Sequence, residues 1–279
     1  MKLIQTIADM ALAQKEVSRP LGLVPTMGAL HDGHLSLVKK AREDNAALAV
    51  SIFVNPAQFG PQEDLDNYPR HQDRDVAMLK ELGTDLVFIP NVHDMYPKGF
   101  DTWIHTGDIA NRLEGESRPD HFRGVATVVT KLFTIVRPDN AYFGQKDAQQ
   151  VLVIRKLNAD LNLGVNVVEL PTIREPDGLA MSSRNAYLNP LERQAAIVLY
   201  NSLRVAERMH IQGEQRTLEI KKAMSAVIRS EPMAVLDYMS IADADTLDEL
   251  DAIRGSSLVS LAIRVGKTRL IDNIRLSME

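Results

Sequence analysis

The stretch LGLVPTMGALHDGH, residues 21–34, decides how the chain is read. It opens with a short, continuously apolar run, Leu21 to Thr26, the pattern of a strand buried on both faces of a parallel sheet. A loop with Gly28 and Gly33 follows. Beyond it Leu35, Val38 and Ala41 or Arg42 fall at helical spacing, with Asp32 or Gly33 as the expected N-cap. A strand that ends in such a turn and opens a helix presents backbone N–H groups to an anion. Two of the chain's seven histidines, His31 and His34, lie in that turn. The residues alone leave a phosphate site, an ordinary turn with exposed histidines, or a metal pair. The metal pair is least favoured: the chain has no cysteine, and a carboxylate ligand would have to come from elsewhere.

The same alternation runs on through the chain. AALAVSIFV (46–54) reads as the next strand, 73–82 as a helix and TDLVFIP (84–90) as a third strand. GVATVVTKLFTIV (124–136) reads as a helix, NAYFG (140–144) as a brief strand and 146–161 as a periodic helix, with VNVVELPTI (165–173) closing the series. Residues 3–18 read as an amphipathic helix that ends before Pro20. Strands separated by crossover helices imply an α/β fold with a Rossmann-like, doubly wound parallel sheet and ligands at the carboxyl ends of its strands. The character changes near Pro171. One helix is expected over 188–213 and another over about 216–230, then β-rich segments around VLDYMSI (235–241) and SSLVSLAIRV (256–265). The expectation is a catalytic domain over 1–171 and a smaller α+β domain over 172–279.

Composition bounds the function. The chain has 279 residues, 45% hydrophobic and 25% charged, with net charge −5, which argues against a nucleic-acid protein working through a broad basic face. Without cysteine, disulfides, thiolate nucleophiles and Cys-based metal sites are excluded. The N-terminal stretch carries Asp9, Lys15 and Glu16 and lacks a signal-peptide pattern. The uncharged run Ala46 to Gly60 is shorter than the ~20 residues of a membrane helix. A cytoplasmic protein with no membrane or nucleic-acid partner is expected.

Three further stretches carry candidate chemistry. In GQKDAQQ (144–150), Lys146 falls in the first turn of a helix, where a cation opposes the helix dipole unless a bound phosphate compensates it. In GLAMSSRN (178–185), two hydroxyls and an arginine on a loop suit a triphosphate, although a polar capping turn looks the same. In VSIFVNPAQFG (50–60), Asn55 and Gln58 lie just past a strand's carboxyl end, and neutral amides there read hydroxyls and a carboxylate alike. VGKT (265–268) is no P-loop: the glycine required five residues before Gly266 is Leu261, and the segment reads as strand.

Taken together, VPTMGALHDGH, SIFVNPAQF, DLDNYPR, HFRGVATVVTKL, YFGQKDAQQ, DGLAMSSRN and RLIDNI resemble, in order and spacing, the pantoate–β-alanine ligase (pantothenate synthetase) family. The HxGH turn and the MSSR loop are also similar to the HIGH and KMSKS elements of wider nucleotidyltransferases. The resemblance implies a two-step, ATP-dependent ligation. Pantoate attacks the α-phosphate to give pantoyl adenylate and pyrophosphate, and β-alanine then displaces AMP.

It further implies an ATP site of Met27, Gly28, Ala29, Leu30, His31, Asp32, Gly33 and His34, joined by Gly144, Gln145, Lys146 and Asp147 and by Ile173, Met181, Ser182, Ser183 and Arg184. Within that set His34, His31, Lys146, Ser182, Ser183 and Arg184 would carry the chemistry. Gln58, Gln150 and Asn55 would hold the substrates. Magnesium would ride on ATP with no protein ligand assigned, Asp75 being a weak, water-mediated candidate, and a homodimer is implied. Many members of the family carry Glu where this chain has Gln145. Other readings are a related adenylyltransferase for another acid, a nucleotide-binding regulatory module and a metal-dependent hydrolase using His31 and His34.

Overall fold

Strands β2 (Leu21–Thr26) and β3 (Ala47–Ile52) lie at the centre of the molecule's main sheet, and their sequences show why. Alternate residues serve opposite faces. Leu21, Leu23, Ala47 and Ala49 join the core built with helices Ile7–Glu16, His121–Val136 and Ala148–Asp160. Val24, Leu48 and Val50 join a second core with helices Asp32–Asp44 and Gln72–Glu81. Both faces are covered, so nearly every position is apolar and the period of two disappears. The computed structural model describes residues 1–61 and 63–277. It divides into two units, Met1–Pro171 and Thr172–Glu279.

In the first unit, β2 and β3 are joined by β1 (Lys2–Ile4), β4 (Leu86–Phe88), β5 (Asn140–Gly144) and β6 (Asn166–Leu170). The order is β1-β4-β3-β2-β5-β6, and all neighbours are parallel. This is the expected doubly wound sheet. From β2 the chain winds out through β3 to β4, then returns to place β5 on the other side of β2. Beside that reversal the strands part: β2 and β5 pair only at Gly22–Asn140 and Leu23–Ala141. Pro25, which has no N–H to donate, lies in the parted stretch. A crevice at such a reversal is where this sheet class binds ligands.

The second unit carries a three-stranded antiparallel sheet, β7 (Ala234–Asp243), β8 (Ser257–Val265) and β9 (Thr268–Leu276), in that order. Helices Val198–Ile211 and Thr217–Arg229 pack Leu199, Leu203, Ile220 and Met224 with Ile241, Val259 and Leu261.

Several boundaries differ from the sequence reading. The first helix starts at Ile7, not Leu3: the Thr6 hydroxyl accepts the Asp9 N–H at 3.1 Å and fixes the start, while Lys2–Ile4 pairs with β4. A three-residue edge strand is held by its partner and leaves no pattern of its own. The helix expected over 188–213 is two, Pro190–Ala195 and Val198–Ile211. Lys146 lies in a 3₁₀ turn, Gln145–Asp147, ahead of the helix Ala148–Asp160. Gly266 and Lys267 form the tight turn between β8 and β9, with Gly266 at φ +56°, so VGKT is a hairpin turn and β9 a third strand. No helix among the described residues is long and apolar enough to cross a membrane.

Candidate active site

The turn after β2 is built from below. The Thr26 hydroxyl donates to the Ser51 carbonyl at 2.8 Å and accepts the Gly28 N–H at 3.2 Å. Gly28 and Ala29 both take left-handed backbone, φ +81° and +50°, which bends the chain sharply into the following helix. Asp75, from helix Gln72–Glu81, holds that bend. Only 1% exposed, it accepts the Ala29 N–H at 2.8 Å and the Leu30 N–H at 2.9 Å, one on each carboxylate oxygen. A Cβ on Gly28 would sit 3.1 Å from Asp75 Oδ2. Asp75 is therefore a buried brace for the turn.

Helix Asp32–Asp44 begins one residue earlier than an Asp32 cap and two earlier than a Gly33 cap would allow, with His31 at the N-cap. The His31 N–H reaches His34 Nδ1 at 3.4 Å, and the two rings lie 4.1 Å apart. A neutral imidazole that accepts at Nδ1 carries its proton on Nε2. Burial, and then repulsion from His31, push the His34 pKa down to about 3; Lys146 works the same way and Asp147 against them. His34 is thus a neutral hydrogen-bond donor through Nε2–H at any physiological pH. Lys146 and Asp147, 3.6 Å apart at the end of β5, lie close enough to act on it. The turns after β2 and β5 do meet across the reversal of the sheet.

The amides after β3 form a second group. Gln58 ends the 3₁₀ turn Pro56–Gln58, and its Nε2 lies 3.2 Å from Met27 Sδ. Asn55 is 1% exposed and its amide is spent inside the protein. It donates to Gln58 Oε1 at 3.0 Å and to the Gly124 carbonyl at 3.2 Å, and it accepts from the Tyr96 hydroxyl at 2.7 Å and the Ala57 N–H at 3.3 Å. Asn55 stands behind Gln58 and sets its orientation. Gln150 is half-buried in the first turn of helix Ala148–Asp160. Its neighbour Gln149 is buried and braces the chain at Ile109, Arg112 and Glu114.

In the second unit, Met181–Arg184 lies on a loop held at both ends. Arg174 bridges to Ala180 and pairs with buried Asp272 at 2.6 and 3.1 Å, its guanidinium 4.5 Å from the Tyr200 ring centre. The Met181 N–H donates to the Ile173 carbonyl at 3.0 Å. Asn185 donates to Glu175 and to the Ala180 carbonyl, while Ser182 caps the 3₁₀ turn Ser183–Tyr187 by accepting the Arg184 N–H at 3.3 Å.

A third cluster in the first unit escaped sequence reasoning. Arg118 donates to Glu63 at 2.7 and 2.6 Å and contacts His121, which contacts the Gln58 carbonyl. His121 falls inside HFRGVATVVTKL, but nothing in the spacing of 63, 118 and 121 signals that they meet.

The first unit thus gathers an imidazole donor, an ammonium and a helix N-terminus at one rim, and primary amides beside it. Such a set neutralises phosphate charge and grips a small polar acid. Among the described residues no three of His, Asp and Glu gather as a metal cage. The family model for pantoate-β-alanine ligase matches residues 2–275. The pantothenate synthetase of Roseiflexus sp. (strain RS-1) is 56% identical over 273 residues, covering 98% of each chain, and that of Dehalococcoides mccartyi (strain CBDB1) is 56% identical over 263 residues, covering 94% and 98%. The crystal structure of pantothenate synthetase from Thermus thermophilus superposes with TM-score 0.94 at 45% identity, covering 98% of this chain and 99% of that one. Pantoate-β-alanine ligase from Francisella tularensis, solved with β-γ ATP and β-alanine, superposes with TM-score 0.81 at 36% identity, covering 98% and 97%. The chain belongs to the pantoate–β-alanine ligase family, enzymes that form pantothenate at the expense of ATP.

Proposed function

We propose that the crevice at the ends of β2, β3 and β5 binds ATP and pantoate, and that ligation runs through pantoyl adenylate. In the first step a pantoate carboxylate oxygen attacks the α-phosphorus. The bond to the bridging oxygen breaks and pyrophosphate leaves. In the second step the β-alanine amine attacks the acyl carbon, the bond to AMP breaks, and the amine proton passes to solvent. Neither step needs a protein nucleophile; both need reactants held in line and charge neutralised.

The observation that carries this reading is the tautomer of His34. With Nδ1 turned to the His31 N–H and the ring held neutral, Nε2–H is a fixed donor for the phosphate as negative charge builds. Lys146 supplies a full charge beside it, and the N-terminus of helix Asp32–Asp44 supplies backbone N–H groups. His31 caps that helix and aims His34. Gln58 and Gln150 grip pantoate, with Asn55 acting through Gln58. Ile173, Met181, Ser182, Ser183 and Arg184 are assigned to the nucleotide on their motif alone. Magnesium travels with ATP, its remaining ligands being phosphate oxygens and water, the usual habit of this ion with nucleotides. The working form is a cytoplasmic homodimer on the same family reading.

The test is AMP release with ATP, pantoate and β-alanine, each omitted in turn, alongside ATP–pyrophosphate exchange. Exchange should need pantoate but not β-alanine, and AMP release should need all three. His34→Ala and Lys146→Ala should each slow adenylate formation by ~10²-fold or more, the scale of losing one transition-state donor. Exchange without pantoate, or near-normal turnover in either variant, would sink the corresponding part of the reading.

A further inference from the structure

The carbonyl of Gln58 is gripped from outside its own turn. His121 Nδ1 lies 2.8 Å from it and an Arg118 amino group 3.3 Å. The donor roles follow from chemistry. Arg118 has only donors, so its 3.2 Å contact with His121 Nε2 makes that nitrogen an acceptor. The His121 proton therefore sits on Nδ1 and points at the Gln58 carbonyl. Arg118 is itself held by Glu63 through two charge-assisted bonds, at 2.7 and 2.6 Å. Burial, and then the Arg118 charge, hold the His121 pKa down to about 4, which keeps Nε2 free to accept. The Glu63 carboxyl is also lowered: burial works to raise it, and the Arg118 bonds and charge prevail.

We infer that Glu63, Arg118 and His121 are positioning residues for the acid-binding amide. Together they form a carboxylate–guanidinium–imidazole strut that locks the backbone of Gln58 and so fixes where its side chain meets the acid. The inference rests on the assignment of Gln58 to pantoate. The Gln58 amide oxygen is aimed by Asn55, and the strut aims the peptide from which that side chain springs. Two donors on one carbonyl, one of them charged, resist rotation of the peptide more than either alone. Glu63 never touches the acid in this arrangement; it acts by setting Arg118, which sets the tautomer of His121.

The experiment uses steady-state kinetics of the full chain, with Michaelis constants for pantoate and ATP measured separately and thermal unfolding recorded for every variant. His121→Ala and Glu63→Gln should each raise the pantoate KM about five- to tenfold, the loss of one such hydrogen bond, and leave the ATP KM within twofold. His121→Asn keeps an N–H where Nδ1 was and should restore most of the pantoate affinity; His121→Gln, whose N–H lies further out, should not. A purely structural role would lower the unfolding temperature and the active fraction alike in all variants, with neither KM moved and no difference between Asn and Gln. That pattern, or a normal pantoate KM in both His121→Ala and Glu63→Gln, overturns the inference. Gln58→Ala separates the two levels. If it leaves the pantoate KM unchanged, the assignment of Gln58 fails. If it raises that KM while the strut variants do not, the strut alone fails.

Discussion

Replacing Gly124 with alanine sets two effects of opposite sign against each other. Gly124 lies inside helix His121–Val136, where alanine is intrinsically better than glycine by about 1 kcal/mol. On propensity alone the variant would be more stable. The structure reverses that sign. A Cβ at position 124 would lie 2.6 Å from the Gln58 backbone nitrogen and closer still to the Ala57 carbonyl. These are backbone atoms with no rotamer to change. Reaching ordinary contact at 3.4 Å from Gln58 nitrogen alone requires about 0.8 Å of movement between the helix and the turn Pro56–Gln58.

Overpacking of this kind costs about 1–3 kcal/mol, which offsets the propensity gain or exceeds it. Net destabilisation by up to about 2 kcal/mol should lower the unfolding temperature by up to roughly 3–4 °C in a chain of this size. The displaced turn carries Gln58, and a shift near 1 Å in a substrate-positioning group can cost about 10²-fold in rate. Differential scanning calorimetry and pantoate and ATP titrations of the Gly124→Ala protein check both halves. The expected result is a lower unfolding temperature, a raised pantoate KM or reduced turnover, and an unchanged ATP KM. A variant as stable as the parent, with normal pantoate kinetics, would refute the close-packing argument.

Asp75→Asn leaves one oxygen where two backbone N–H groups were satisfied, so it should cost about 1–3 kcal/mol and weaken ATP binding; calorimetry with ATP titration checks it, and unchanged ATP affinity would count against the brace. His34 and His121 take up protons below about pH 6.5 when unfolded but only near 3 and 4 when folded. The unfolded state holds more protons in that window, so stability falls as pH drops from about 6.5 towards 4, by up to about 1.4 kcal/mol per unit for each histidine. Denaturant titrations at several pH values should show a shallower slope in His121→Asn, and an identical slope would remove that histidine from the account. In the second unit, Asp272→Asn leaves the part-buried Arg174 guanidinium without its charged partner and should cost about 3–5 kcal/mol. Calorimetry reads the loss, and an effect under about 1 kcal/mol would mean the pair is dispensable.

The strands at the sheet centre were legible because burial on both faces leaves a run such as ALAVSI with almost no polar position. The amphipathic helices were legible because an apolar stripe facing one core repeats every 3.6 residues. Lys2–Ile4 and Thr268–Leu276 were not. The first is three residues held by an edge partner, and the second is a hairpin return whose register follows from β8 and a two-residue turn. Local pattern reports a segment's own burial, not the strand it pairs with.

Residue types along the chain determined a donor-rich turn after β2, a lysine after β5, amides after β3 and a Ser-Ser-Arg loop beyond Pro171. They also determined the chemistry excluded, since a chain without cysteine offers no thiolate. Only the tertiary structure decided that β5 returns beside β2, bringing Lys146 and Asp147 to His34 across some hundred residues of chain. It also decided that Asp75 braces the turn, that Asn55 serves Gln58 from behind, and that Glu63, Arg118 and His121 meet at one carbonyl. The reason is physical. A carboxylate or an imidazole takes its tautomer, charge and direction from the groups packed against it, and those neighbours are chosen by the winding of the sheet, not by adjacency in the chain.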